Sequence, residues 1–305
     1  ENLYGASVNP KSEITITAGA TQALFTAITT FIKSGDEVIL IEPAYDSYAP
    51  SIRLNGGKVI PYNLQGPSYK VQWEEFNTLI TEQTKMIIIN TPHNPTGQLL
   101  SANDIISLES IIRDKNIIVI SDEVYEHLTY DGRTHESVLK YPCLRAKSFA
   151  VYSFGKTFHA TGWKLGHIIG PKHLMHEFKK VHQFNVFCVN HPIQCAIADY
   201  MENKEVYQGL GPMFEKKRDL FLEIISKSKF KPVPCEGTYF QMVDYSEISD
   251  LDDIAFAKWI TKEVGVAAIP VSVFYTNAPD QKVIRFCFAK TDDVLIEAGK
   301  KLFTL

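Results

Sequence analysis

Short runs of apolar and β-branched residues recur along the first 170 positions of the chain, and patterns typical of amphipathic helices lie between them. This alternation predicts an α/β fold in which a mostly parallel sheet is covered by helices on both faces. Parallel strands need crossover connections of a dozen or more residues, and the spacing of the runs allows them. Seven strands are expected, at residues 14–17, 37–41, 58–62, 86–90, 117–122, 150–153 and 165–169.

Helical periodicity is clearest in two of the connecting segments. Between the first two predicted strands, five apolar residues fall on one face of a helix that begins near Ala20 and is stopped by Gly35-Asp36. Ahead of the fifth predicted strand, a second helix is expected to have Asn103 or Asp104 as its N-cap. The five residues of the first helix are Leu24, Phe25, Ile28, Phe31 and Ile32.

The pattern changes to longer helices and then to an α+β section beyond about residue 170. This change indicates two domains: a large domain at residues 1–195 and a smaller C-terminal α+β domain at residues 196–305. The later elements expected are helices at 174–187, 192–203, 212–226 and 254–264, and strands at 237–244 and 283–289.

Three short motifs carry the candidate chemistry. Ser153-Phe-Gly-Lys156 places a lysine between small residues directly after an apolar strand, while the segments at 90–97 and 121–125 close two earlier predicted strands. About thirty residues separate Asn94 from Asp122, and again Asp122 from Lys156. Each gap is enough for one strand-helix-strand crossover, so these side chains are expected to converge at one edge of the sheet.

Taken singly, each motif has a simpler interpretation. A lysine in a polar loop is usually a surface charge, an Asn-Pro-Thr-Gly run is usually a turn, and an aspartate after a strand is often a helix cap. The combination of these motifs, in this order and at this spacing, is a far more specific signal than any single motif. Together they resemble the fold-type I, pyridoxal-phosphate-dependent aminotransferases of class I and II, over nearly the whole chain.

Within that family the resemblance is strongest to the subgroup of bacterial methionine aminotransferases, kynurenine aminotransferase and glutamine transaminase K. The segments Cys-Glu-Gly-Thr-Tyr-Phe at 235–240 and Gly-Val-Ala-Ala-Ile-Pro at 265–270 add to it. The resemblance implies a fold-type I α/β protein, a homodimer, with pyridoxal 5′-phosphate as cofactor. It also implies transamination of a large, largely uncharged amino-acid donor, with a 2-oxo acid as acceptor.

By the same resemblance, three residues have catalytic roles. Lys156 would hold the cofactor aldehyde as an imine and later move the substrate proton. Asp122 would keep the pyridine nitrogen protonated, because a carboxylate beside that nitrogen favours its charged form. Tyr125, together with Asn94, would donate hydrogen bonds to the 3′ oxygen of the cofactor ring.

The 5′-phosphate is expected at the start of the first helix, where free N–H groups and the helix dipole favour an anion. Gly19 allows a close approach there, and Ala20 and Thr21 would donate backbone N–H groups. By resemblance to the family, Ser153 and Lys164 complete the phosphate site.

Aromatic and basic residues complete the expected site. Tyr45 matches the family's aromatic that stacks on the cofactor ring, whereas Tyr48 is interpreted as a core tyrosine. Arg285 lies within an alternating apolar strand, where an unpaired charge is costly, and it is expected to bind the substrate carboxylate as a bidentate pair. Asn94 is expected to touch the same carboxylate. The candidate walls of the substrate pocket are Tyr45, Tyr239 and Phe274.

Composition argues against several other classes. The formal net charge is −4, from 31 basic and 35 acidic residues that are interspersed, so no surface for nucleic acid or an anionic membrane is expected. No apolar run approaches the roughly 18 residues of a membrane span, and a cytoplasmic location is expected. Five scattered cysteines are expected to be reduced and mostly buried. His173 and His176 lack accompanying carboxylates or thiols, so no metal site is expected.

Two alternatives remain open from the sequence. A carbon–sulfur β-lyase would use the same cofactor site, and the cofactor-binding effector domain of a transcription regulator would share the fold. The chain opens on Glu1, whereas the family places its first strand after a substantial N-terminal segment. Such a segment is therefore expected upstream.

Overall fold

A seven-stranded sheet forms the centre of the fold. The computed structural model describes residues 3–279 and 281–305. The strands are β1 (Ile14–Thr17), β2 (Glu37–Glu42), β3 (Lys58–Asn63), β4 (Thr84–Asn90), β5 (Ile118–Asp122), β6 (Ser148–Ser153) and β7 (Gly166–Ile169). They are ordered β1-β7-β6-β5-β4-β2-β3, and six run in parallel while β7 runs antiparallel to its neighbours β1 and β6.

The predicted sheet is confirmed, with each strand beginning and ending within two residues of its expected position. Every residue of β2 and of β5 is buried, as expected for central strands covered on both faces. Successive side chains of β2 point to opposite faces, so Ile39 packs in one apolar cluster and Leu40 in the other.

Helices connect the strands and cover both faces of the sheet. They span Pro10–Glu13, Gly19–Phe31, Tyr48–Leu54, Trp73–Asn77, Ala102–Ile112, Pro142–Arg145, Phe154–Thr157, Lys172–Asn185, His191–Met201, Glu205–Gln208, Leu210–Ile225, Asp253–Trp259 and Asp292–Leu302. Shorter turns are the 3-10 turns Val138–Lys140, Thr161–Trp163 and Ser272–Phe274 and the π-helical turn Ile260–Val264.

The expected cap of helix Ala102–Ile112 is wrong. Its N-cap is Ser101, whose side chain accepts the N–H of Asp104, while the Asp104 carboxylate accepts the backbone N–H of Ser101 at 2.7 Å. This reciprocal pair is a capping box, and it satisfies two N–H groups that would otherwise lack partners. The helix therefore begins before Asn103.

One expectation about burial is wrong, and one residue is more exposed than its neighbours. Phe25 belongs to the predicted apolar face of helix Gly19–Phe31 but is 37% exposed, whereas Leu24 and Ile28 of that face are buried. The cysteines were expected to be mostly buried. Of the five cysteines, Cys235 is buried and Cys143 is half-buried. The exposed ones are Cys188, Cys195 and Cys287.

A second, smaller sheet follows in the C-terminal part of the chain. Its strands are β8 (Lys231–Pro232), β9 (Phe240–Asp244), β10 (Ile269–Pro270) and β11 (Val283–Cys287), all antiparallel, in the order β10-β11-β9-β8. The predicted strands at 237–244 and 283–289 form β9 and β11. The domain division after residue 195 stays a prediction, and that position lies within helix His191–Met201.

Candidate active site

One cavity of about 420 Å³ opens where β4, β5 and β6 end and where β9, β10 and β11 contribute side chains. The carboxyl ends of parallel strands are the usual place for a site in an open α/β sheet. All eleven site residues expected from the sequence line this cavity: Gly19, Ala20, Thr21, Tyr45, Asn94, Asp122, Tyr125, Ser153, Lys156, Lys164 and Arg285.

Asn90 organises the strand ends at the floor of the cavity. It ends β4 directly opposite Asp122, which ends β5. The Nδ2 of Asn90 donates to the carbonyl oxygen of Asp122 at 2.8 Å, and its Oδ1 accepts the N–H of Asn94 at 2.7 Å. Asn90 thereby fixes the loop that carries Asn94, a role for which the sequence motif gave no separate signal.

Tyr48 contacts the central carboxylate, although the sequence indicated only a core tyrosine. Its hydroxyl donates to Oδ2 of Asp122 at 2.5 Å, and the side chain is 3% exposed. Tyr48 begins helix Tyr48–Leu54, and its ring centroid lies 5.7 Å from that of Tyr45. In the sequence, Tyr48 stood out only by its closeness to Tyr45. That closeness does not reveal a contact with Asp122, which lies 74 positions away.

The environment of Asp122 balances burial against hydrogen bonding. Burial raises the pKa of Asp122 to about 6, while the hydrogen bonds from Tyr48 and from the N–H of Val124, together with the charge of Lys156, act to lower it. Burial also raises the pKa of the Tyr48 phenol, and the adjacent carboxylate raises it further, so Tyr48 remains a donor. The Asp122 carboxyl, with these donors around it, is placed to hold a proton on a ring nitrogen.

Lys156 lies in the single helical turn Phe154–Thr157, immediately after β6. Ser153 caps this turn, and its Oγ accepts the backbone N–H of Lys156 at 3.3 Å. The Nζ of Lys156 lies 3.3 Å from the hydroxyl of Tyr239 and 5.9 Å from the centroid of the Tyr125 ring. In the described part of the chain no carboxylate forms an ion pair with this amine, so it is available for covalent chemistry.

The expected phosphate site forms at the start of helix Gly19–Phe31. Its N-cap residue, Ala18, provides no side-chain cap, so N–H groups of the first turn are left for a ligand. Lys164 stands beside them, since a Cβ on Gly19 would lie 3.4 Å from its Nζ. Helix dipole, free N–H groups and a lysine charge therefore meet at one point.

Glycine is needed at two positions beside the expected phosphate site. A Cβ at Gly166 would lie 2.6 Å from the carbonyl oxygen of Tyr152 and 2.9 Å from the backbone nitrogen of Ala20, and both distances are too short for real atoms. Gly19 has a φ of +79°, in the left-handed region that favours glycine. A larger residue at Gly166 would force the helix start away from the sheet.

Arg285 on β11 lines the opposite side of the cavity. Its Nη1 donates to Oδ1 of Asn94 at 2.6 Å, and its guanidinium carbon lies 4.0 Å from the ring centroid of Phe240 and 5.0 Å from that of Phe274. The Nε of Arg285 has no hydrogen-bond partner, and burial lowers the pKa of the group. A partly desolvated guanidinium with an unpaired N–H is suited to an anionic ligand such as a carboxylate.

Tyrosines surround the reactive lysine. Tyr125 is buried, its ring meets that of Tyr239 edge-on at 5.2 Å, and burial raises its pKa, so it is a neutral hydroxyl donor. Tyr45 is half-buried and lines the cavity, where its ring is available for stacking.

Apolar side chains from the C-terminal part of the chain form one stretch of the cavity wall. Phe274 lines the cavity as expected, with Ile269 and Val273 beside it. The hydroxyl of Tyr239 approaches Lys156, the neighbouring Phe240 lines the cavity, and the wall role expected for Tyr239 stays a prediction.

This set of groups fits pyridoxal 5′-phosphate. It offers an amine in Lys156, a buried carboxylate in Asp122 for a ring nitrogen, and Lys164 at a helix start for a phosphate. Residues 3–279 and 281–305 contain no cluster of histidine, cysteine and carboxylate side chains suited to a metal ion.

A search of the same described residues finds no helix that is both long and apolar enough to cross a membrane. The cytoplasmic location expected from the sequence stays a prediction.

Comparison with known proteins identifies the family of this chain. The family model of aminotransferase class I and II matches residues 2–301. The methionine aminotransferase of Escherichia coli (strain K12) is 47% identical over 303 residues, which cover 99% of this chain and 78% of the relative. The kynurenine–oxoglutarate transaminase 1 of Homo sapiens is 32% identical over 334 residues, which cover 98% of this chain and 79% of the relative.

A solved structure gives the same result. The crystal structure of YbdL from Escherichia coli, identified with a methionine aminotransferase function, matches with a TM-score of 0.98 at 47% identity and covers 100% of this chain and 81% of its own. The family and fold class expected from the sequence are confirmed, and the protein is an aminotransferase that acts on amino acids and 2-oxo acids. The chain belongs to the class I and II aminotransferase family.

Proposed function

We propose that this enzyme transaminates large, largely uncharged amino acids such as methionine, with pyridoxal 5′-phosphate as cofactor. The observation that carries the proposal is the set of cations around the cavity. Among the described lining residues only Lys156, Lys164 and Arg285 are basic, whereas the far wall is apolar. The 47% identity to a methionine aminotransferase supports the same substrate class.

Each of the three cations has one anionic or reactive partner in this proposal. Lys156 holds the cofactor, Lys164 faces its phosphate at the helix start, and Arg285 binds the substrate α-carboxylate with its guanidinium group. No basic residue of the described lining is left for a second substrate carboxylate. An acidic side chain would therefore enter a pocket formed by Ile269, Val273 and Phe274 without a partner for its charge.

The chain's own residues divide the work of the reaction. Pyridoxal 5′-phosphate, when bound, supplies an aldehyde for the substrate amine and a ring that withdraws electrons from Cα. The Nζ of Lys156, as a free amine beside Cα, would take the Cα proton onto itself. Asp122, held by Tyr48, keeps the proton on the ring nitrogen. Arg285 fixes the α-carboxylate and so orients Cα.

A donor panel tests this substrate class. Methionine is expected to be among the best donors, and aspartate to have a specificity constant at least about tenfold lower, because a second carboxylate would be desolvated without a partner. Discrimination among apolar donors is expected to be modest, since one methylene is worth about 1–3 kcal/mol. Initial rates of 2-oxo acid formation with one fixed acceptor give the comparison. Aspartate as the best donor would reject the substrate class and leave the aminotransferase activity intact.

The same panel distinguishes β-lyase activity. A cysteine S-conjugate should give the sulfur-containing 2-oxo acid if the enzyme transaminates it. Pyruvate with ammonia in equal amounts would show elimination instead. Pyruvate as the main product would replace the proposed function with the lyase.

We also propose that the enzyme is a homodimer. Phe184 and Phe187 are 87% and 76% exposed, one within the last turn of helix Lys172–Asn185 and the other just after it, and this favours a contact surface here. Between them, Val186 packs in the same apolar cluster as Leu165, next to Lys164. A second copy on this surface would therefore border the phosphate site. Sedimentation at micromolar concentration is expected to give a dimer, and a fully active monomer would overturn the proposal.

A further inference from the structure

A short segment at residues 271–276, here called the strap, forms part of the substrate side of the cavity. It follows β10 and contains the 3-10 turn Ser272–Phe274. Val273 and Phe274 line the cavity, and the ring centroid of Phe274 lies 5.0 Å from the guanidinium carbon of Arg285. The position of the strap therefore sets one wall of the pocket and one neighbour of Arg285.

Two carboxylates from distant parts of the chain hold the strap. Asp253, at the start of helix Asp253–Trp259, accepts the N–H and the hydroxyl of Ser272, each at 2.7 Å. Glu42, the last residue of β2, accepts the N–H of Thr276 at 2.7 Å and its hydroxyl at 2.6 Å. The strap is thus tied at one end to a C-terminal helix and at the other end to the large sheet.

The tie at Glu42 is accompanied by a further hydrogen bond at Phe274 itself. Glu42 is 2% exposed, and a buried carboxylate is costly unless hydrogen bonds compensate its charge. Next to it, the N–H of Ala44 donates to the carbonyl oxygen of Phe274 at 2.7 Å. The end of β2 and the strap therefore share three hydrogen bonds around Phe274 and Thr276, and Glu42 has no part in the cofactor or carboxylate chemistry.

We propose that Glu42 is a positioning residue that sets the donor specificity of this enzyme. The inference rests on the proposed function, because it concerns the same pocket. By holding Thr276, Glu42 keeps Phe274 against the cavity, where the ring contacts donor side chains that are long enough to reach it. Methionine is such a donor, whereas the single methyl group of alanine is too short to reach the ring.

The test is Glu42→Gln, which preserves shape and removes the carboxylate charge from both hydrogen bonds to Thr276. The KM for methionine is expected to rise about tenfold, since charge-assisted hydrogen bonds are the strong ones. The KM for alanine is expected to rise by a smaller factor, and the kcat and the absorbance of the bound cofactor are expected to stay within about twofold of the wild-type values. Hydrogen exchange of the peptide that covers the strap is expected to become faster.

Two variants serve as controls. Glu37 begins the same strand and accepts from Lys58 at 2.9 Å and from Thr81 at 2.8 Å, away from the strap, so Glu37→Gln is expected to leave both KM values and strap exchange unchanged. Thr276→Val removes the hydroxyl and keeps the N–H donor. It is expected to shift KM for methionine and strap exchange in the same direction as Glu42→Gln, by a smaller factor.

Several outcomes would overturn the inference. An unchanged strap exchange in Glu42→Gln would show that Glu42 does not anchor the strap. Faster exchange with an unchanged ratio of the two KM values would remove its effect on specificity. If Glu42→Gln fails to fold, Thr276→Val decides by the same two measurements. If the wild-type enzyme rejects methionine, the proposed function fails. Glu42 can still be tested in that case, by strap exchange and by the KM of the longest accepted donor relative to the KM for alanine.

Discussion

Lys156→Ala is expected to abolish transamination. Loss of a positioned acid–base group lowers kcat by about 10²–10⁴-fold, and the loss here is expected to be larger because the same residue also holds the cofactor covalently. Its amine is the one that lies 3.3 Å from the Tyr239 hydroxyl in the cavity. Single-turnover rates, and the mass of the protein after borohydride reduction with cofactor, measure the two losses separately.

Lys164→Ala is the matched control, because Lys164 lines the same cavity and lies at the start of helix Gly19–Phe31. This variant is expected to bind the cofactor more weakly and still to give the reduced adduct on Lys156. A reducible adduct retained in Lys156→Ala would contradict the assignment of Lys156, and loss of the adduct in Lys164→Ala alone would transfer the role to Lys164.

Arg285→Ala is expected to lower the specificity constant for methionine by at least about tenfold. Hydrogen bonds to charged groups are worth about 1.5–3 kcal/mol each, and a bidentate pair contains two of them. The cofactor absorbance is expected to be unchanged, because Arg285 contacts Asn94 and the rings of Phe240 and Phe274 and is assigned to the substrate alone. Steady-state kinetics and a cofactor titration of the same preparation measure both effects.

Arg285→Lys separates charge from geometry. A lysine keeps the charge but cannot present the planar fork, so an intermediate specificity constant is expected. Unchanged kinetics in Arg285→Ala would refute the substrate role. A weakened cofactor titration in that variant would instead indicate that Arg285 contributes to the cofactor site.

The large sheet could be predicted from the sequence because its signals are local. In β2 and β5 the continuous apolar, β-branched runs follow from burial on both faces, and each run can be recognised without knowing what packs against it. The departures were local as well. Phe25 fits the period of its helix but is exposed, because periodicity shows which residues share a face and does not show how far the packing extends.

The convergence of the site residues could also be predicted, since crossovers in a parallel sheet return strand ends to one edge. Asp122 ends β5 and Ser153 ends β6, and the turns that follow carry Tyr125 and Lys156. Their assigned roles stay predictions that the variants above test.

Contacts between distant side chains were decided by the tertiary structure alone. Tyr48 donates to Asp122 across 74 residues, and Glu42 holds Thr276 across 234 residues. These pairs leave no periodic or motif signal, because they depend on how two separately folded segments are placed against each other. The sequence by itself determined the sheet, the motifs and the family. Packing decided which tyrosine reaches the buried carboxylate and which carboxylate holds the wall of the substrate pocket.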